Sequence, residues 1–166
     1  MNTPGNKFRD AIADNKPLMV VGAINAYCAK MAEKAGHKAL YLSGAGVANA
    51  SFGLPDLAIT TLNDVAEDSR RITQATNLPL LIDIDTGFGG AFSISRTIKE
   101  MIAADVAAVH IEDQVTQKRC GHRPNKSLVD KAEMNDRIKA AVDGRTDDSF
   151  FIMARTDSYA SEGMEG

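Results

Sequence analysis

Tryptophan is absent and aromatic residues make up 5% of the chain, which argues against a platform for stacking nucleic-acid bases. Basic residues show no excess: 19 Lys and Arg stand against 22 Asp and Glu, a net charge of −3, so there is no electrostatic footprint for a polyanion. The two cysteines, Cys28 and Cys120, lie 92 positions apart and form no disulfide framework, which predicts a reducing, cytoplasmic setting. Long apolar runs are missing as well. Leu18–Ile24, Leu78–Ile82 and Val106–Val109 fall far short of the ~18 residues of a membrane span. The polar stretch Met1–Phe8, with Pro4 and Gly5, offers no secretory h-region. What is present is ordinary globular composition, 44% hydrophobic and 25% charged over 166 residues, enough for one domain around one core.

The apolar residues fall into alternating strand and helix patterns. Met19–Gly22, Ala39–Leu42, Leu80–Asp83, Val106–Ile111 and Phe150–Ala154 read as short buried strands. Cys28, Met31, Ala32 and Ala35 recur at helical spacing ahead of a Gly36 C-cap, and Thr61 caps a helix carrying Leu62, Val65 and Ile72. Ile94, Ile98, Met101 and Ile102 mark the next helix, and Asp130-x-x-Glu133 reads as a capping box before Met134, Ile138 and Ala141. Ser43–Ile59 and Glu112–Ser127 read as irregular connections, and a further helix is expected to begin near Gly163. Strands alternating with helices imply right-handed βαβ units and a parallel sheet, either open and doubly wound or a closed (β/α)8 barrel. Five strands satisfy the first and leave the second about three units short.

In both architectures the chemistry collects at the C-terminal strand ends. Asp83-Ile84-Asp85 places two carboxylates two apart, on one side of a strand, a spacing that suits Mg²⁺ with water and substrate completing its shell. The alternative is that one Asp caps the turn into Gly87–Gly90 while the other is solvated. Ser43-Gly44-Ala45-Gly46 imitates the start of a dinucleotide fingerprint, but Asn49 and Pro55 break the pattern. It reads better as a loop whose N–H groups approach an anion, or as a plain turn. Lys118-Arg119-Cys120-Gly121-His122-Arg123 surrounds one thiol with basic groups, which favours thiolate and suits a nucleophile or a general acid, with an incidental Cys in a basic loop as the alternative. Arg155 can bind a substrate carboxylate or pair with Asp157. His110 reads as a core histidine with Glu112 and Asp113 as supporting groups, Tyr41 as core or mouth, Cys28 as inert core and His37 as surface.

Six blocks, YLSGAGVA (41–48), GLPD (53–56), LIDIDTGFGG (81–90), HIEDQ (110–114), KRCGHRPNK (118–126) and IMARTD (152–157), occur in the order found in the isocitrate lyase/phosphoenolpyruvate mutase superfamily, which the chain resembles from about Val20 to Gly163. Cys-Gly-His after a basic pair is similar to the lyases, and the continuation Arg123-Pro124-Asn125-Lys126 to their methylisocitrate branch. The resemblance implies an α/β fold of (β/α)8 TIM-barrel type, truncated after about the fifth strand and lacking the last three βα units. It implies Mg²⁺-dependent, retro-aldol (Claisen-type) cleavage of 2-methylisocitrate to pyruvate and succinate in propionate catabolism (the methylcitrate cycle). Carried over by motif, Asp83 and Asp85 organise Mg²⁺, Ser43, Gly44 and Ala45 hold the pyruvate moiety, and Cys120, Gly121 and Arg155 lie at the substrate. Cys120 is then the acid that protonates the succinate carbanion, tuned by Lys118, Arg119 and His122, and Tyr41 is the acceptor of the hydroxyl proton. Ala45 departs from the Gly often found there. The implied partner is a small tricarboxylic acid, with neither nucleic acid nor membrane, and the full-length protein is expected to be a homotetramer while the 166-residue piece alone is inactive. The alternatives are an isocitrate lyase, an oxaloacetate-acting enzyme or a phosphonomutase within the superfamily, and an inactive fragment or binding module outside it.

Overall fold

A computed structural model describes residues 2–165. Five strands, β1 (Val20–Gly22), β2 (Ala39–Leu42), β3 (Leu80–Asp83), β4 (Ala108–Glu112) and β5 (Phe151–Arg155), pair in parallel in chain order. A doubly wound sheet reverses its strand order at a switch point. No reversal occurs among the described residues, so right-handed crossovers put successive helices on one face.

Strand periodicity then sorts the side chains. Leu40, Leu42, Leu80, Ile82, Val109 and Ile111 point to the helix side. They form the main core with Val65 and Ile72 of α4 (Leu62–Thr73), Ile94, Ile98 and Met101 of α5 (Ala91–Ala103) and Ala140 and Ala141 of α6 (Lys131–Gly144). Ala39, Leu81 and Ala108 point the other way and cluster with Phe8 of α1 (Pro4–Asp14). The Phe8 ring meets Phe151 edge-on at 5.8 Å, a favoured aromatic geometry.

The sequence patterns hold for β2 and β3, whose bounds agree, and for α4, where Thr61 and Asp64 form a reciprocal capping box. Elsewhere the structure differs. Helix α1 was not expected: Pro4 stands in its first turn, where a missing N–H costs nothing, and Thr3 caps the Asn6 N–H at 3.2 Å. Helix α2 (Ala26–Lys34) buries Ala29 and Ala32 with Cys28 half-buried beside them, whereas Met31 is exposed and Ala35 lies beyond the helix. His37 is half-buried rather than on the surface. The segment after β2 is not wholly irregular: a helical turn, α3 (Gly44–Gly46), runs into a π-helical turn at Val47–Ser51, which Ser51 pins by donating to Asp68 at 2.5 Å. At α6 only half of the capping box forms. Asp130 accepts the Glu133 N–H at 2.8 Å, and the Glu133 carboxylate turns instead to Arg137, 2.6 Å away. The last α-helical turn, α7 (Tyr159–Glu162), begins before Gly163.

Candidate active site

Beyond β3 the backbone turns sharply, with Asp85 in the left-handed region at φ 50°, a conformation Asp tolerates better than most side chains. The Asp85 N–H donates to Asp83 Oδ1 at 2.9 Å, so the turn as well as strand alternation brings the two carboxylates together. Both are about 95% buried. Gly44 is packed against them: a Cβ there would lie 3.1 Å from Asp85 Oδ1 and 3.3 Å from Asp83 Oδ2. Its N–H faces Asp83 at 3.4 Å, so that amide, expected to meet an external anion, points at an internal one.

The electrostatics follow from crowding. Burial, with Asp83 alongside, pushes the Asp85 carboxyl up to about 6 in spite of the Lys118 ammonium 2.6 Å from its Oδ1. Lys118 also pairs with Asp56; although burial opposes its charge, Asp85 and Asp56 prevail and hold it above the ordinary lysine value. Next to them, Tyr41 places its hydroxyl 3.0 Å from His110 Nε2. Burial lowers the His110 pKa, keeping the ring neutral, while burial and the Asp83 charge raise that of Tyr41 and keep it a phenol. Donation by Tyr41 therefore leaves the ring proton on Nδ1, which faces Asp83 Oδ1 at 3.7 Å without a hydrogen bond among the described residues.

A second charged group lies one strand further on. Arg155 Nη1 is 3.2 Å from Glu112 and Nη2 3.2 Å from Asp157. Burial pushes the Glu112 carboxyl up to about 7, partly countered by Arg155. Gln114, fully buried, donates to Glu112 at 3.0 Å and to the Arg119 carbonyl at 2.9 Å, and accepts the Arg119 N–H at 3.2 Å, fixing where the 115–127 loop leaves the sheet. Lys126 closes the far side by donating to the Gly121 carbonyl at 2.7 Å. A Cβ at Gly121 would sit 2.0 Å from Arg155 Nη2, so any larger residue there would push the guanidinium aside.

Each residue singled out in the sequence can now be placed. Asp83, Asp85, Gly44 and Tyr41 converge; Ser43 and Ala45, half-buried, flank Gly44. Gly121 joins Arg155, with half-buried Cys120 beside it. Arg119 and His122 are exposed, and Lys118, expected to tune the thiol, is committed to the acids. Asp113 supports the turn after β5, accepting from Thr156 at 2.5 Å and from the Asp157 N–H at 3.0 Å. His110, expected in the core, and Glu112, expected as a supporting group, both line the candidate site, and Asp56 and Gln114 were missed. Alternation along β4 carried the signal for the first two: they share one face, and the register sets His110 beside Asp83 and Glu112 beside Arg155.

A hard divalent cation fits the carboxylate pair. Asp85 Oδ1 is buried with the Lys118 ammonium against it, and Mg²⁺ takes one or two carboxylates and leaves its other positions to water and substrate. Among the described residues no group of three or more His, Cys, Asp or Glu is placed to hold a metal, so water and substrate would have to complete the shell of a cation on this pair.

A parallel sheet in chain order, with its charged groups gathered beyond the C-terminal strand ends, defines the α/β class that carries its chemistry on strand-end loops. Within that class, the chain belongs to the phosphoenolpyruvate phosphomutase family, whose profile matches residues 8–165. It is 68% identical over 161 residues to 2-methylisocitrate lyase of Shewanella oneidensis, covering 97% of this chain and 55% of that protein. The structure of oxaloacetate acetylhydrolase with 3,3-difluorooxalacetate superposes with a TM-score of 0.92 at 37% identity, covering 98% of this chain and 57% of that one. Phosphonopyruvate hydrolase in complex with oxalate and Mg²⁺ gives a TM-score of 0.77 at 29% identity, over 94% of this chain and 53% of that one. The chain thus spans about half the length of the relatives it matches.

Proposed function

We propose that this chain supplies the carboxylate pair and the Cys-Gly-His loop of a Mg²⁺-dependent lyase that cleaves 2-methylisocitrate to pyruvate and succinate, in a cytoplasmic, homotetrameric whole protein. The observation that carries the reading is the buried pair Asp83 and Asp85, packed on Gly44 and reached by the loop that holds Cys120. The five strands are the first part of a (β/α)8 barrel. Tyr27 and Met31, both well exposed on the helix that follows the edge strand β1, fit a surface that closing βα units would cover.

Asp83 and Asp85 would hold Mg²⁺, which when bound supplies a Lewis acid for developing negative charge on the oxo-acid oxygens. The residues of the chain do the rest. Ser43, Gly44 and Ala45 bound the pyruvate end, and Arg155 meets a carboxylate as a bidentate donor. Tyr41 is a phenol and accepts the hydroxyl proton of the substrate only by passing its own to neutral His110, whose imidazolium would then face Asp83. Cys120 delivers a proton to the succinate carbanion, with Gly121 keeping the loop against Arg155. The 115–127 loop excludes water from that carbanion.

The test is pyruvate formation from 2-methylisocitrate by the whole protein, with isocitrate and oxaloacetate as competing substrates. Cleavage of 2-methylisocitrate that needs Mg²⁺, and that Cys120→Ser abolishes while pyruvate binding survives, supports the reading. Turnover by Cys120→Ser at the parent rate removes the thiol from the mechanism, and preferential hydrolysis of oxaloacetate assigns the site to a different branch of the family.

A further inference from the structure

Lys118 belongs to a loop whose neighbours Thr116, Gln117 and Arg119 are exposed, yet its own side chain is only 3% exposed. A lysine this deeply buried needs partners. It has two, from different strand-end loops: Asp56 beyond β2 and Asp85 beyond β3. The Asp85 atom it meets, Oδ1 at 2.6 Å, is the buried oxygen that lacks a well-formed hydrogen bond. At this distance the contact is a short ion pair, and it is the contact that meets that oxygen.

We propose that Lys118 is a built-in counter-cation for Asp85, which a divalent cation displaces onto Asp56. This rests on the reading of Asp83 and Asp85 as the metal-holding pair. Asp83 and Asp85 are buried and Asp56, half-buried, meets the same ammonium, so leaving the two buried carboxylates uncompensated would be costly. The ammonium offsets that charge while the metal is away and holds the 115–127 loop on the sheet. Mg²⁺ binds carboxylate oxygens at about 2.0–2.1 Å. On Oδ1 it would stand beside the Lys118 ammonium, and in a pocket of low dielectric constant the repulsion between the two is severe. Asp56 gives the ammonium somewhere to go, so displacement strands no buried charge. Lys118 thereby sets the metal affinity of the site and ties metal loading to the loop that carries Cys120. It is a positioning residue that acts through Asp85.

The experiment uses the intact chain and has two readouts. Mg²⁺ binding is measured by calorimetry for the parent and for Lys118→Met, which keeps the length of the side chain and removes its charge. The variant is expected to bind Mg²⁺ at least about tenfold more tightly, the competitor being gone. In the parent, which needs no folding variant, amine acylation of Lys118 is followed by mass spectrometry with and without Mg²⁺. Labelling is expected to rise severalfold when the ammonium loses one of its two anchors. Unchanged labelling on saturation with Mg²⁺, or a variant that binds no more tightly, overturns the inference and leaves the metal site standing. Absence of Mg²⁺ binding in both proteins overturns the metal site and the inference together.

Discussion

The two faces of this sheet are built from the same strands and serve opposite ends. On the helix side, Leu40, Leu42, Leu80, Ile82, Val109 and Ile111 are buried among aliphatic side chains and carry no polar atom to satisfy. One residue along, Tyr41, Asp83, His110, Glu112 and Arg155 fill the C-terminal half of the other face with groups that burial makes expensive. The aliphatic face provides the stability that lets the polar face keep its charges out of water. Period-two alternation in strands of three to five residues accomplishes the division.

The division breaks first on the aliphatic side. Ile82→Ala is expected to destabilise the chain by about 3 kcal/mol through an unfilled cavity, read as a lower urea midpoint at unchanged slope, whereas Asp83→Asn on the opposite face costs less than about 1 kcal/mol by the same measurement. Equal losses would mean that both faces hold the fold. Gly121→Ala drives the Arg155 guanidinium off its acids, so binding of a small dicarboxylate weakens about tenfold, or about 1.4 kcal/mol, with little change in stability. Undiminished binding would take Arg155 out of the site.

The faces also differ in their response to pH. Glu112 and Asp85 titrate near 7 and 6, above carboxylates in an unfolded chain, so the folded state holds protons that the unfolded state has released. Their contribution is fully present below about pH 4 and is lost as the pH rises through 6 and 7. With no divalent cation added, urea titrations should show that contribution falling by about 3–4 kcal/mol between pH 5 and pH 8. The Ile82→Ala loss should be the same at both. Smallest of all, Gly44→Ala needs the carboxylates to move by a few tenths of an ångström and should cost under about 0.5 kcal/mol in stability while measurably weakening Mg²⁺ binding. An alanine that strengthens Mg²⁺ binding would show that Gly44 does not shape the pair.

The aliphatic face was legible in the sequence because it consists of runs and repeats: Leu80–Ile82 and the Ile94, Ile98, Met101 stripe announce themselves. The polar face was legible only where it ends in a motif. Asp83, Asp85, Cys120 and Arg155 stood out, but His110 and Glu112 are set singly among Val109 and Ile111 and passed for core or support. Pairings made across loops were hidden altogether. Nothing in the local sequence joins Asp56 to Lys118, 62 positions away, and the cluster of basic residues around Cys120 suggested the wrong partner for that lysine. Helix α1 was not read because the polar stretch Met1–Phe8 was weighed only as a leader, although Thr3 followed by proline is a helix start and Phe8 and Ile12 are spaced one turn apart.

Whether the polar face holds an oxo acid through a cation carried by Asp83 and Asp85 is decided by titrating oxalate, as an analogue of the pyruvate moiety, into the chain with and without Mg²⁺, alongside Asp85→Asn. Oxalate should bind the parent only when Mg²⁺ is present, and should not bind the variant under either condition. Equal affinity with and without the metal, or affinity undiminished in Asp85→Asn, would show that no cation on this pair holds the acid.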